Sequence, residues 1–122
     1  NLQAQRLKEH EWMTRLNVQH EGYMPFGQGR ANEMFEDPKI LEIAAKYGKT
    51  PRQVALRYQI QCGVIVIPKS VNPERVRANA DVFDFALSDQ DMAALRSMDM
   101  EKPLTGDPET PERTMKITGF KL

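Results

Sequence analysis

Two kinds of apolar pattern run along the chain, one helical and one extended. Leu7, Trp12, Met13 and Leu16 stand among Gln, Arg, Lys and Glu, which predicts an amphipathic helix with an imperfect stripe over residues 3–16. Asp37-Pro38 supplies an N-cap and a proline at N1, Ile40, Leu41, Ile43, Ala44 and Tyr47 supply an apolar face, and Gly48 ends that helix. Thr50-Pro51-Arg52-Gln53 opens another with a capping-box pattern, and Val54 with Tyr58 and Leu56 with Ile60 pair at i and i+4. Residues 64–67 behave differently: Val64, Ile65, Val66 and Ile67 are all β-branched and follow Gly63. An uninterrupted run of that kind predicts a strand buried on both faces, as in a parallel sheet. A weaker strand is expected over residues 18–24, where Gln19, His20 and Glu21 make the middle polar. Phe83, Phe85 and Leu87 alternate with Asp84 and Ala86, as an extended segment laying side chains on a core would. Ser88-Asp89-Gln90-Asp91 caps a last helix carrying Met92, Leu95 and Met98, and from Asp99 onward Pro103, Gly106, Pro108 and Pro111 predict loop or coil.

Composition narrows the function classes more than the fold. With 122 residues the chain suits one domain with a modest core. Seventeen basic residues balance seventeen acidic ones, so no overall field favours nucleic acid or an anionic membrane, and no apolar run reaches the length of a membrane span. A soluble, cytoplasmic protein is expected. Cys62 is the single cysteine, which rules out an internal disulfide and fits a reducing compartment; it reads as a small packing residue. No Cys/His cluster suggests a metal, and the seven methionines read as core filling at helical spacing. His10 on a helix surface and His20 inside the polar strand read as surface or packing residues.

The chemistry concentrates after the β-branched run. Pro68 closes the strand, Asn72-Pro73 opens a helix, and Lys69, Ser70 and Arg75 surround that helix start. A helix N-terminus offers N–H groups and a partial positive charge, and with these cations it suits a phosphate. The run Ile67-Pro68-Lys69-Ser70-Val71-Asn72-Pro73-Glu74-Arg75 followed by Asn79 is similar to the cofactor motif of the aldo-keto reductase family. The likeness continues through Asp81-Val82-Phe83-Asp84-Phe85-Ala86-Leu87-Ser88. Upstream it includes Gly48-Lys49-Thr50-Pro51-Arg52-Gln53-Val54-Ala55-Leu56-Arg57 and Tyr23-Met24-Pro25-Phe26-Gly27, so it spans roughly residues 5–100.

This resemblance implies an α/β fold, the C-terminal part of a (β/α)8 TIM barrel with two to three of its strand-helix units. Residues 1–17 would be the helix before strand seven, 18–61 the seventh unit, 62–100 the eighth strand with the cofactor turn and closing helices, and 101–122 the tail. The chain would then be a piece of a longer enzyme, its partner the N-terminal part of the barrel. NADP(H) is the implied cofactor. Tyr23 would stack on the nicotinamide, with Pro25, Phe26 and Gly27 beside it. A loop containing Gly27, Gly29, Arg30 and Asn32 would cross the pyrophosphate. Lys69 and Arg75 would grip the 2'-phosphate, helped by Ser70, Val71 and Asn72, and Asn79 would contact the adenine. Departures from the family pattern stand out at Met24, in place of a serine, with Gln28 after Gly27, both bearing on the pyrophosphate contacts, and at Ala78, in place of a glutamate. The family's catalytic tyrosine, lysine, aspartate and histidine come from the first half of the barrel, and none of Tyr23, Tyr47 and Tyr58 lies in a segment resembling the catalytic one. The function implied is NADPH-dependent reduction of an aldehyde or ketone, a small-molecule carbonyl substrate, in the intact enzyme. The alternative is an inactive module that binds nucleotide or self-associates.

Overall fold

The computed structural model describes residues 1–27 and 31–101. Among the described residues six helices and two short strands follow one another: α1 (Leu7–Arg15), β1 (Glu21–Gly22), α2 (Ala31–Phe35), α3 (Pro38–Tyr47), α4 (Pro51–Gln61), β2 (Ile65–Val66), α5 (Pro73–Ala80) and α6 (Asp89–Arg96). β1 and β2 pair in parallel, Glu21 opposite Ile65 and Gly22 opposite Val66. The glycine matters at that position, because a Cβ on Gly22 would stand 3.1 Å from Cγ1 of Val64.

Helix starts follow local chemistry. The Asp37 carboxylate accepts from the Lys39 N–H, Thr50 and Gln53 form the reciprocal capping box, Asn72 accepts from Glu74 and Arg75, and Ser88 accepts from Asp91. Gly48 ends α3 at φ 62°, a left-handed conformation that glycine adopts at least cost. α3 presents Ile40, Ile43 and Ala44 to α4 and α6, and α4 returns Val54, Ala55 and Tyr58. Leu41 lies one position off that stripe and is exposed. Each fully buried aliphatic side chain contributes ~1.5–3 kcal/mol.

Polar groups tie these layers together. Tyr58 donates its hydroxyl to Oε1 of Gln5 (2.7 Å), and Gln5 donates to the carbonyl of Leu95 (2.9 Å), fixing the first residues across α4 and α6. Gln53 donates to the Asp81 carbonyl (2.8 Å), and Gln61 both donates to and accepts from the backbone of Leu87.

Four expectations are corrected. The first helix starts at Leu7 and buries none of its residues; Arg6 is left-handed at φ 55°, and the core position at this end is filled by Leu2. The strand over 64–67 is covered on one face, by α4, while Ile65 and Ile67 stay 50% and 53% exposed, because among the described residues nothing packs on the other face. Phe83 points outward, whereas Val82, Phe85 and Leu87 turn inward, and Lys49 pairs with both Asp81 and Asp84 (3.0 and 2.7 Å) on either side of Phe83. Asn32, expected in a loop, belongs to α2, and Gln28, Gly29, Arg30 and the tail 102–122 lie outside the described residues.

Candidate cofactor site

Because β1 and β2 are parallel neighbours, both lead out of the sheet at the same end, the C-terminal one, where β/α barrels hold their ligands. Tyr23 follows β1 directly and leaves 63% of its surface exposed there. The chain then turns sharply. Met24 is left-handed (φ 54°), its carbonyl accepts from the Gly27 N–H (2.9 Å), and Gly27 is buried at φ 71°. Pro25 is fully buried, its carbonyl accepting from Nε2 of Gln59 (3.3 Å). Phe26 meets Phe35 of α2 edge to face, with centroids 5.8 Å apart.

On the β2 side, Ser70 and Asn72 shape the turn: the Asn72 N–H donates to Oγ of Ser70 (3.2 Å). Oδ1 of Asn72 then accepts from the N–H groups of Glu74 (2.9 Å) and Arg75 (3.2 Å), and its carbonyl accepts from Val76. This corrects the expectation of free N–H groups at that helix start. Proline supplies none, the cap occupies the next two, and an anion there would be held by side chains. Lys69 and Arg75 are exposed cations, Asn79 is half-buried, and Val71 is 94% exposed. The site residues thus fall into two groups, Tyr23 to Gly27 after β1 and Lys69 to Asn79 after β2, both at one end of the sheet.

Two features carry no local signal in the sequence. Arg52, at the second position of α4, stacks its guanidinium over Phe26 (5.1 Å to the centroid) and Phe35 (4.6 Å). Burial, and then the charge of Arg75, push its pKa down. The histidines, read separately from sequence, form a pair: Nδ1 of His10 and Nδ1 of His20 are 2.9 Å apart, with centroids at 5.1 Å. Burial first, and then His10, depress the pKa of His20. Both rings line a cavity of about 980 Å³ between α1 and β1, which reaches Tyr23 and Met24 but not the residues of 69–79. Cys62 caps the end of α4, and burial pushes its thiol up, away from nucleophilic use. Among the described residues no three metal-binding side chains cluster, and no helix is long and apolar enough to cross a membrane.

Parallel strands, each leading into helices, with polar and cationic turns at the C-terminal end of the sheet, define a segment of a β/α barrel. Residues 4–100 match the aldo/keto reductase family, and the chain belongs to it. It is 49% identical over 105 residues to an aldo-keto reductase of Mycolicibacterium smegmatis, covering 86% of this chain and 36% of the relative. It is 38% identical over 105 residues to methylglyoxal reductase DkgA of Salmonella typhimurium, covering 86% and 38%. Among solved structures it superposes on MGS-M4, an aldo-keto reductase from a Medee basin deep-sea metagenome library, with TM-score 0.82, 35% identity, and 84% and 38% of the two chains. It superposes on the aldo-keto reductase AKR2E5 complexed with NADPH with TM-score 0.78, 34% identity, and 85% and 34% of the two chains. The chain therefore spans little more than a third of the length of these relatives, and its fold is an incomplete part of their TIM barrel.

Proposed function

We propose that this chain forms the cofactor-binding side of an NADPH-dependent aldo-keto reductase that reduces small aldehydes or ketones. The observation that carries this reading is the placement of Tyr23 and the 69–79 turn at the C-terminal end of one parallel strand pair. The residues fit a phosphorylated dinucleotide: an exposed aromatic ring stands after β1, and two exposed cations stand after β2, neither of them in an ion pair among the described residues. When bound, NADPH supplies the hydride. Tyr23 stacks on its flat ring and orients it; Pro25 and the buried Gly27 keep that end of the loop rigid. Lys69 as a point charge and Arg75 as a planar fork hold the 2'-phosphate, with Ser70 and the Asn72 cap fixing the turn from which they project. Asn79 contacts the adenine in this reading. No residue of this chain is assigned the proton transfer to the carbonyl oxygen; that role falls to the rest of the barrel.

The relatives named methylglyoxal reductase make methylglyoxal the substrate to try first. In the longest form in which the protein is expressed, NADPH oxidation should depend on the added carbonyl. Lys69→Ala and Arg75→Ala should each raise the KM for NADPH about tenfold or more while leaving that for NADH nearly unchanged. Protein that binds no NADPH and consumes no carbonyl sinks the reading. Binding without turnover would instead support an inactive nucleotide-binding module.

A further inference from the structure

Arg52 stands at the start of α4 and Arg75 in the first turn of α5, helices that pack together, and after burial the charge of Arg75 acts on Arg52 to lower its pKa. Like charges brought together cost free energy unless something negative lies between or beside them. Neither Arg52 nor Arg75 forms an ion pair among the described residues, whereas Lys46 and Lys49 both do. Arg52 is also held in place. Its planar group lies over Phe26 and Phe35, 5.1 and 4.6 Å from their centroids, and those rings brace each other at 69°. Stacking fixes the orientation of the fork, so that little further rotamer freedom is lost when it binds an oxyanion. Phe26 adjoins Gly27, which ties this clamp to the loop leaving β1, while Arg75 belongs to the turn leaving β2.

We infer that Arg52, seated on Phe26 and Phe35, joins Arg75 as the second guanidinium of an anion site, and that the anion is a phosphate of the bound dinucleotide. The inference rests on the proposed function for the identity of the ligand. It adds a residue on a different helix from the motif residues, with Phe35 as its positioning partner. The ligand chemistry is a phosphate dianion or a diphosphate bridging the two loops. The 2'-phosphate and the pyrophosphate of the cofactor are its two possible sources.

Calorimetric titration of the purified protein with NADPH and with NADH tests this, using Arg52→Met and Arg52→Lys. Methionine keeps an apolar cover on the phenyl rings without the charge; lysine keeps the charge without the planar stack. Arg52→Met should weaken NADPH binding about tenfold or more, and Arg52→Lys should recover part of the loss. Loss for NADPH alone assigns the contact to the 2'-phosphate; equal loss for NADH assigns it to the pyrophosphate. If Arg52 only covers the rings, Arg52→Met binds both nucleotides like the wild type and Arg52→Lys is the worse of the two, and the inference falls while the proposed function stands. A wild-type protein that binds neither nucleotide overturns both.

Discussion

Asp91 shows how much a single carboxylate can hold. Its Oδ2 accepts from Nζ of Lys46 (2.7 Å), the hydroxyl of Tyr47 (2.6 Å) and Oγ of Ser88 (2.6 Å), joining the end of α3 to the start of α6. Burial disfavours its charge, but the hydrogen bonds from Lys46, Ser88 and Tyr47 outweigh that and hold its pKa down at about 2. A carboxylate whose pKa is lower folded than unfolded stabilises the fold fully above its unfolded value, near ~4. That stability is lost as pH falls through the folded value of about 2. Melting temperature should therefore be flat from pH 7 to about 4.5 on account of this group and fall below it, and Asp91→Asn should remove that part of the acid sensitivity. The same substitution at neutral pH replaces one strong acceptor of three donors and should cost ~1–3 kcal/mol, read as a lower urea midpoint. The sequence displayed Ser88 and Asp91 as a cap, and the structure has them so. Lys46 and Tyr47 as further donors lie more than forty residues away, where no local pattern speaks. Arg52 and the His10–His20 pair carry no local pattern either: each contact depends on how a helix, α4 or α1, packs beside the segment around β1.

Elements were legible wherever local chemistry decides them. The caps at Asp37, Thr50, Asn72 and Ser88 and the stop at Gly48 need only neighbouring residues, and each was readable as such. Extent and facing were less so. Leu41 and Phe83 look apolar in sequence and face outward, since their burial depends on a partner surface rather than on periodicity. The cap at Asn72 ties an element to the proposed chemistry. Oδ1 of Asn72 fixes the first turn of α5, and Arg75 leaves that turn. Asn72→Ala should cost ~1 kcal/mol in helix and protein stability. If the turn positions the cation as proposed, it should also weaken NADPH binding more than NADH binding, although alanine removes no charge. Asn72→Asp, which keeps the cap, should restore stability but not nucleotide affinity, because it sets an anion beside the phosphate. Urea melts and nucleotide titrations on the same two variants separate the structural from the electrostatic part.

At the scale of the whole molecule, the two-stranded sheet is the feature that its own core does not complete. Ile65 of β2 and Ile67 just after it are half-exposed, and Tyr23, Val71 and Val76 add exposed apolar surface. Four β-branched residues in a row suit burial on both faces, and among the described residues only the face toward α4 is covered. In a full barrel of about eight strands each strand has neighbours on both sides, so open edges and exposed sheet faces of this kind do not persist. The 122-residue chain by itself should therefore associate: sedimentation velocity should show a weight-average mass rising with concentration, accompanied by binding of an apolar dye. Ile65→Lys places a charge on the uncovered face and should lower both signals without melting the α3–α4–α6 core, because Ile65 contributes little to it. In the longest expressed form the same substitution should have the opposite sense and destabilise by ~2–4 kcal/mol, since the lysine would then be buried against the remaining strands. An unassociated chain whose behaviour does not change on Ile65→Lys would mean that this face is not made for cover, and that the barrel-completing surface has to be sought elsewhere on the molecule.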